Sequence, residues 1–391
     1  MMEKILLQDR RQALVEHLQK KFPALQSLDW TTALHSQMIS PFQVSLPTDL
    51  RHQAEKIAQI LWKLRCSSNY LSLMTKEFQQ FQLPMAGNVS LFSSMDFHVD
   101  SQQNLQLIEI NTNAAFLGLG CELYSSLGLP AACPDFQIED LKKDILSELR
   151  KNNSPVLQPR IAIVDEKPEE QRLYIEFLYF QALFQSWGWK CDIRDIRENL
   201  AEYDFIYNRH TDFYLQNPIS GNMRQSFENK KWTLSPQPLD YFLLADKQRL
   251  TDWSQNNFLE SFLEKSDCEY FRNHIPKCQT ILPENAEEIW SQRKKLFFKP
   301  LRSFGSKQSY KGSSISRKAF MDLIQTETLA QTYCPASEIQ AVTPEGPQSF
   351  KYDLRVHFYE NRIQNVVARL YQGQVTNART PHGGFACVQW V

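Results

Sequence analysis

Apolar residues recur at intervals of three and four near the start of the chain. Leu7, Leu14, Leu18 and Phe22 predict a helix over 3–22 that Pro23 ends. Ile57, Ile60, Leu61 and Leu64 mark a second helix over 50–64, with Thr48 as its cap. Both read as packing elements; the other use of such faces is a partner or membrane surface. Between Ser94 and Asn113 the period changes to two. The stretch SMDFHVDSQQNLQLIEINTN predicts a β-hairpin, with arms at 96–100 and 105–110 around the polar turn 101–104. AAFLGLG follows, which fits either a plain loop or a close approach of backbone to ligand.

A polar helix over 139–151 leads into a linker at 152–155. A buried strand over 160–165, an aromatic helix ending at Gly188, and short strands at 191–193 and 205–207 then predict a small parallel sheet. No G-x-G-x-x-G turn accompanies it, so no dinucleotide site is expected. Arg209, His210 and Asp212 come just past its last strand, as ligand contacts or as an ordinary hydrogen-bonded loop.

The 391 residues suffice for two or three domains, and 42% hydrophobic content fits a folded protein. With 43 basic against 44 acidic residues, no overall field favours nucleic acid or an anionic membrane. Eight cysteines without a C-x-x-C pair argue against a zinc ribbon or a compact disulfide framework and fit a reducing compartment. No apolar run reaches 18 residues and the first 21 lack the apolar centre of a signal peptide, so a soluble, cytoplasmic protein is expected.

The hairpin carries the chemistry. Glu109 and Asn111, two apart on one arm, share a face, and Asp96 on the other arm can lie beside them. Three hard oxygen donors suit Mg²⁺, which takes its remaining ligands from water and phosphates. Downstream, Lys247 stands at the start of a helix, and Lys299 ends a short apolar strand that Pro300 breaks. The following loop holds Gly305, Ser306 and Lys307. LAQTYCPASEIQ reads as strand, turn and strand, with Gln331 on the first and Glu338 on the second. A last hairpin, 353–359 with 363–370, puts Arg355 and Arg369 on adjacent strands, followed by Asn377 and the pair Gly383, Gly384.

Together these motifs resemble the ATP-grasp superfamily over roughly residues 85–391. The resemblance implies that Asp96, Glu109 and Asn111 hold two magnesium ions on the triphosphate of ATP. It implies phosphate contacts from Lys247, Lys299, Ser306 and Lys307, an adenine hinge at Gln331 and a ribose ligand in Glu338. It also implies catalytic roles for Arg355, Arg369 and Asn377. In most members the metal hairpin follows the lysines, whereas here it precedes them by more than a hundred residues, so a circularly permuted α/β fold is expected. Its parts would be helices and metal-binding strands over 1–155, a small Rossmann-like domain over 156–245, and the nucleotide-binding lysines, lid and hinge over 246–391. Ser94 stands where D-alanine:D-alanine ligase-like members carry an arginine, which leaves Arg355 or Arg369 to stabilise transferred charge. The implied activity is an ADP-forming carboxylate-amine ligase working through an acyl phosphate on small-molecule or peptide substrates. A phosphotransferase and a binding-only protein are the other readings.

Overall fold

The structure is a computed structural model that describes residues 9–152, 154–301, 309–377 and 379–391. The described strands in chain order begin with β1 (Ile39–Leu46), β2 (Ser93–Val99), β3 (Leu105–Asn111), β4 (Arg160–Asp165) and β5 (Lys190–Asp195). Next come β6 (Phe205–Asn208), β7 (Thr233–Ser235), β8 (Cys278–Thr280), β9 (Leu296–Pro300) and β10 (Tyr310–Lys311). The last are β11 (Thr328–Thr332), β12 (Ser337–Thr343), β13 (Gly346–Tyr359), β14 (Arg362–Tyr371) and β15 (Gly384–Trp390). They form three sheets in a mixed α and β architecture.

The largest sheet runs β1-β15-β14-β13-β2-β3, with β12 also paired to β13. Late strands of the chain therefore lie between early ones in one sheet. Its centre is buried on both faces: nearly every residue from Tyr352 to Tyr359 and from Ile363 to Val367 is inaccessible, as expected where helices or loops cover a strand on either side. The β2–β3 hairpin turns over 100–104 as the alternation predicts. It docks on β13 with Asp96 opposite Arg355 and Met95 opposite Val356. The parallel edge strand β1 was not anticipated, because ISPFQVSL alternates weakly and holds a proline. Gly384 admits this edge: its φ is +105°, and a Cβ there would lie 2.5 Å from the Met38 carbonyl oxygen.

The second sheet, β5-β4-β6-β7, is wholly parallel; β4, β5 and β6 match the predicted strands within two residues, and β7 was not anticipated. The helix Tyr174–Ser186 that crosses it is apolar almost all round and packs on β5 and on the helix Leu117–Ser126. That second helix corrects the loop expected at AAFLGLG. Gly118 and Gly120 serve packing there, since a Cβ on Gly118 would strike the Tyr179 ring. The predicted first helix spans Arg10–Lys21, and the second spans Thr48–Cys66 with Pro47 rather than Thr48 at the cap position. Among the described residues no helix is long and apolar enough to cross a membrane.

The third sheet, β10-β9-β11-β8, is antiparallel and two-sided. Leu296 and Phe298 of β9 and Ala330 of β11 face a small separate core with Ile289, Phe320 and Leu323. The period of two therefore turns Phe297, Lys299 and Gln331 to the other face, toward the large sheet.

Candidate functional site

A cleft of about 410 Å³ lies between the third sheet and the β2–β3 hairpin. Asp96, Glu109, Asn111, Lys247, Lys299, Gln331, Arg355 and Arg369 all line it. Residues separated by more than two hundred positions are thus brought to one opening.

The acidic wall is set by strand register. Asp96 faces Glu109 directly, and Ser94 faces Asn111. Asp96 is 2% exposed and heavily engaged. Its carboxylate accepts from Arg355 Nε at 3.0 Å and Nη2 at 2.8 Å, from Arg369 Nη2 at 2.9 Å, and from Asn111 Nδ2 at 3.1 Å. Burial alone would raise this carboxyl, but the two guanidiniums outweigh it and hold the group well below the usual carboxylate range. Arg369 also donates to Asp353 Oδ1 at 2.6 Å, and Asp353 takes the Thr376 hydroxyl. No role was foreseen for Asp353. Its signal was the Asp-x-Arg spacing, which puts Asp353 and Arg355 on one face of β13.

The basic wall follows from a bulge. The pairing shifts between Asp96 and Phe97, so Ile108 is the extra residue of β3 and its carbonyl is freed from the ladder. Lys299 Nζ donates to that carbonyl at 3.0 Å and Gln331 Nε2 reaches it at 3.5 Å. Lys299 is 7% exposed, and burial lowers its ammonium against the opposing pull of Glu109. Lys247, directly before the helix Gln248–Ser254, is lowered for the same reason, with Glu109 again opposing and Lys299 adding to the shift. Two partly dehydrated lysines facing one carboxylate form a site suited to a polyanion that brings its own counter-cation.

Magnesium can be tested against these donors. Among the described residues no group of three or more His, Cys, Asp or Glu side chains is placed to hold a metal. Asp96 is committed to arginine, whereas Glu109 is half-buried on the cleft, where its one hydrogen bond among the described residues is from the Asn111 amide at 3.5 Å. Glu109 and the Asn111 carbonyl therefore fit a Mg²⁺ that completes its shell with phosphate and water, the usual style for that ion.

Other expected residues fall elsewhere. Glu338 is exposed on β12, where it accepts from Ser349 at 2.6 Å, and it does not line the cleft. Asn377 braces the turn before β15, donating to the Gln372 carbonyl at 2.8 Å and accepting from Thr380 at 3.0 Å, and it lines a neighbouring cavity. Ser306 and Lys307 lie outside the described residues. His98 was missed; it lines the cleft, bonds the Cys334 carbonyl at 2.7 Å, and is lowered by burial.

No family model and no curated protein matches this chain. Among solved structures, the chain is similar to a protein of Methylobacillus flagellatus provisionally named a gamma-glutamylcysteine synthetase. The TM-score is 0.45 at 8% identity, over 86% of this chain and 88% of the other. It is also similar to the ATP-grasp ligase PsnB, solved with a minimal precursor, Mg and ADP. That TM-score is 0.25 at 10% identity, over 59% of this chain and 88% of the other. Neither likeness decides the role of a residue here.

Proposed function

We propose that the chain is an ATP-dependent carboxylate-amine ligase built as a circularly permuted ATP-grasp protein. One observation carries this reading: the early hairpin with Glu109 and Asn111 and the late strands with Lys299 and Gln331 line a single cleft whose floor holds Arg355 and Arg369. Magnesium ATP, when bound, supplies the phosphoryl group that turns a carboxylate into an acyl phosphate open to an amine. Lys247 and Lys299 attract the polyphosphate, and their low-dielectric setting strengthens that attraction. Glu109 and Asn111 would hold the metal. Arg355 and Arg369, oriented by Asp96 and Asp353, face the point where charge moves and are preorganised to stabilise it. Gln331 lines the cleft from β11, the strand proposed as the base-binding hinge.

The test is nucleotide turnover by the full chain with Mg²⁺-ATP and panels of carboxylates and amines. ADP release that needs both a carboxylate and an amine is expected. AMP release, or ADP release driven by a hydroxyl compound alone, overturns the ligase reading. Glu109→Gln should raise the Mg²⁺ concentration for half-maximal turnover at least tenfold.

A further inference from the structure

A second cavity, of about 550 Å³, shares Arg355, Arg369, Thr211 and Thr376 with the cleft and extends to the parallel sheet. That sheet has the spatial order β5-β4-β6-β7, so its first strand in sequence, β4, lies between the second and the third. Connections leave β4 and β6 in opposite directions along the sheet, and the crevice outside their carboxyl ends is where open α/β sheets take ligands. Asp165 ends β4 and Arg209 follows β6. The Arg209 N–H donates to the Val164 carbonyl at 2.7 Å, so the two residues sit side by side in register, roughly one strand spacing of ~5 Å apart.

Both groups are built in and, among the described residues, no direct ion pair joins them, although Arg209 feels the charges of Asp165 and of the buried Glu176. Asp165 is 8% exposed and, among the described residues, has no ion-pair partner; its carboxylate accepts the Glu166 N–H at 2.8 Å. Burial raises its carboxyl, with the Glu166 N–H and the Arg209 guanidinium pulling the other way. Arg209 is anchored by the Asn113 carbonyl and by the Tyr207 hydroxyl at 3.1 Å, and its Nε is buried without a partner. Asn113 ends the E-I-N-T-N run, so the metal-proposed hairpin itself holds Arg209 in place, and its Nδ2 donates to the Arg209 carbonyl at 3.1 Å. The neighbouring Glu166 is occupied by Arg197 at 2.5 Å.

A buried carboxylate and a fixed guanidinium on neighbouring strands, not bonded directly to each other among the described residues, match a ligand that carries both signs close together and can sit between them. We infer that this crevice binds the zwitterionic head of a free α-amino acid, its ammonium on Asp165 and its carboxylate on Arg209. The assignment deepens the ligase reading and rests on it only for the use made of the bound molecule. A simple monoanion would leave Asp165 repelling it, and a simple amine would leave Arg209 unmatched.

Calorimetry on the full chain, with each of the twenty proteinogenic L-amino acids, is run alone and with Mg²⁺ and a non-hydrolysable ATP analogue. At least one amino acid should bind. Its 2-keto acid and its α-amide, each lacking one charge, should bind at least tenfold more weakly. Asp165→Asn should weaken the amino acid at least tenfold and change analogue affinity less than twofold. Arg209→Gln should do likewise, and Arg209→Lys, which keeps a cation in the anchored position, should recover part of the loss. Failure of every amino acid in both conditions overturns the proposal, as does a keto acid or amide that binds as tightly. Amino-acid binding without analogue binding would instead remove the ligase reading and leave the crevice assignment standing.

Discussion

Asp96→Asn offers the sharpest physical test of how the two ends of the chain are held together. The substitution keeps size and shape but removes the one charge that Arg355 grips through two nitrogens and Arg369 through a third. Arg369 keeps Asp353, so one guanidinium, that of Arg355, loses the carboxylate that, among the described residues, is its ion-pair partner, at a position 8% exposed. Breaking a buried pair on one side costs about 3–5 kcal/mol, because a desolvated charge is left behind. Urea unfolding followed by tryptophan fluorescence at pH 7 should show a loss of that size. The sign with pH follows from the depressed native carboxyl. Its contribution is fully present above the unfolded value near 3.8 and disappears as pH falls through the native value below it. The gap between wild type and variant should hold steady from pH 8 to pH 5 and narrow only under about pH 4. A loss under about 1 kcal/mol at pH 7 would refute the reasoning, since it would mean that the arginines reach water without Asp96. A gap that widened on acidification would refute it equally.

Three further outcomes are expected. Lys299→Met should weaken binding of Mg²⁺-ADP at least tenfold by calorimetry, while Glu338→Gln, outside the cleft, should leave it within twofold. Glu176 is buried and desolvation pushes its carboxyl up to about 7, so the ionised form is the disfavoured one. The penalty is absent below the unfolded value near 4.5 and complete above the native one. Glu176→Gln should therefore gain stability relative to wild type as pH rises from 5 to 8, by up to about 3 kcal/mol at 1.36 kcal/mol per unit, read from thermal midpoints. Gly384→Ala adds a strained φ and a clash with the Met38 carbonyl, and should cost about 2–5 kcal/mol by urea unfolding.

Much of the local structure was legible from periodicity alone. The alternation through 94–113 specified the hairpin and the common face of Glu109 and Asn111, and apolar runs located β4, β6 and β9 within two residues. These features depend on the backbone period, which each segment carries in its own residues. What chain order could not convey was partnership across distance. Asp96 meets Arg355 across 259 positions, and the commitment of its carboxylate to arginine depends on the register of β2 on β13. The bulge at Ile108 and the outward turn of Glu338 come from how strands seat on one another. So does the pairing of Asp165 with Arg209, which are neighbours because β4 and β6 lie side by side. Local sequence sets which way a side chain points relative to its own strand; only the packed sheets decide which other charges it finds there, and therefore what it can bind.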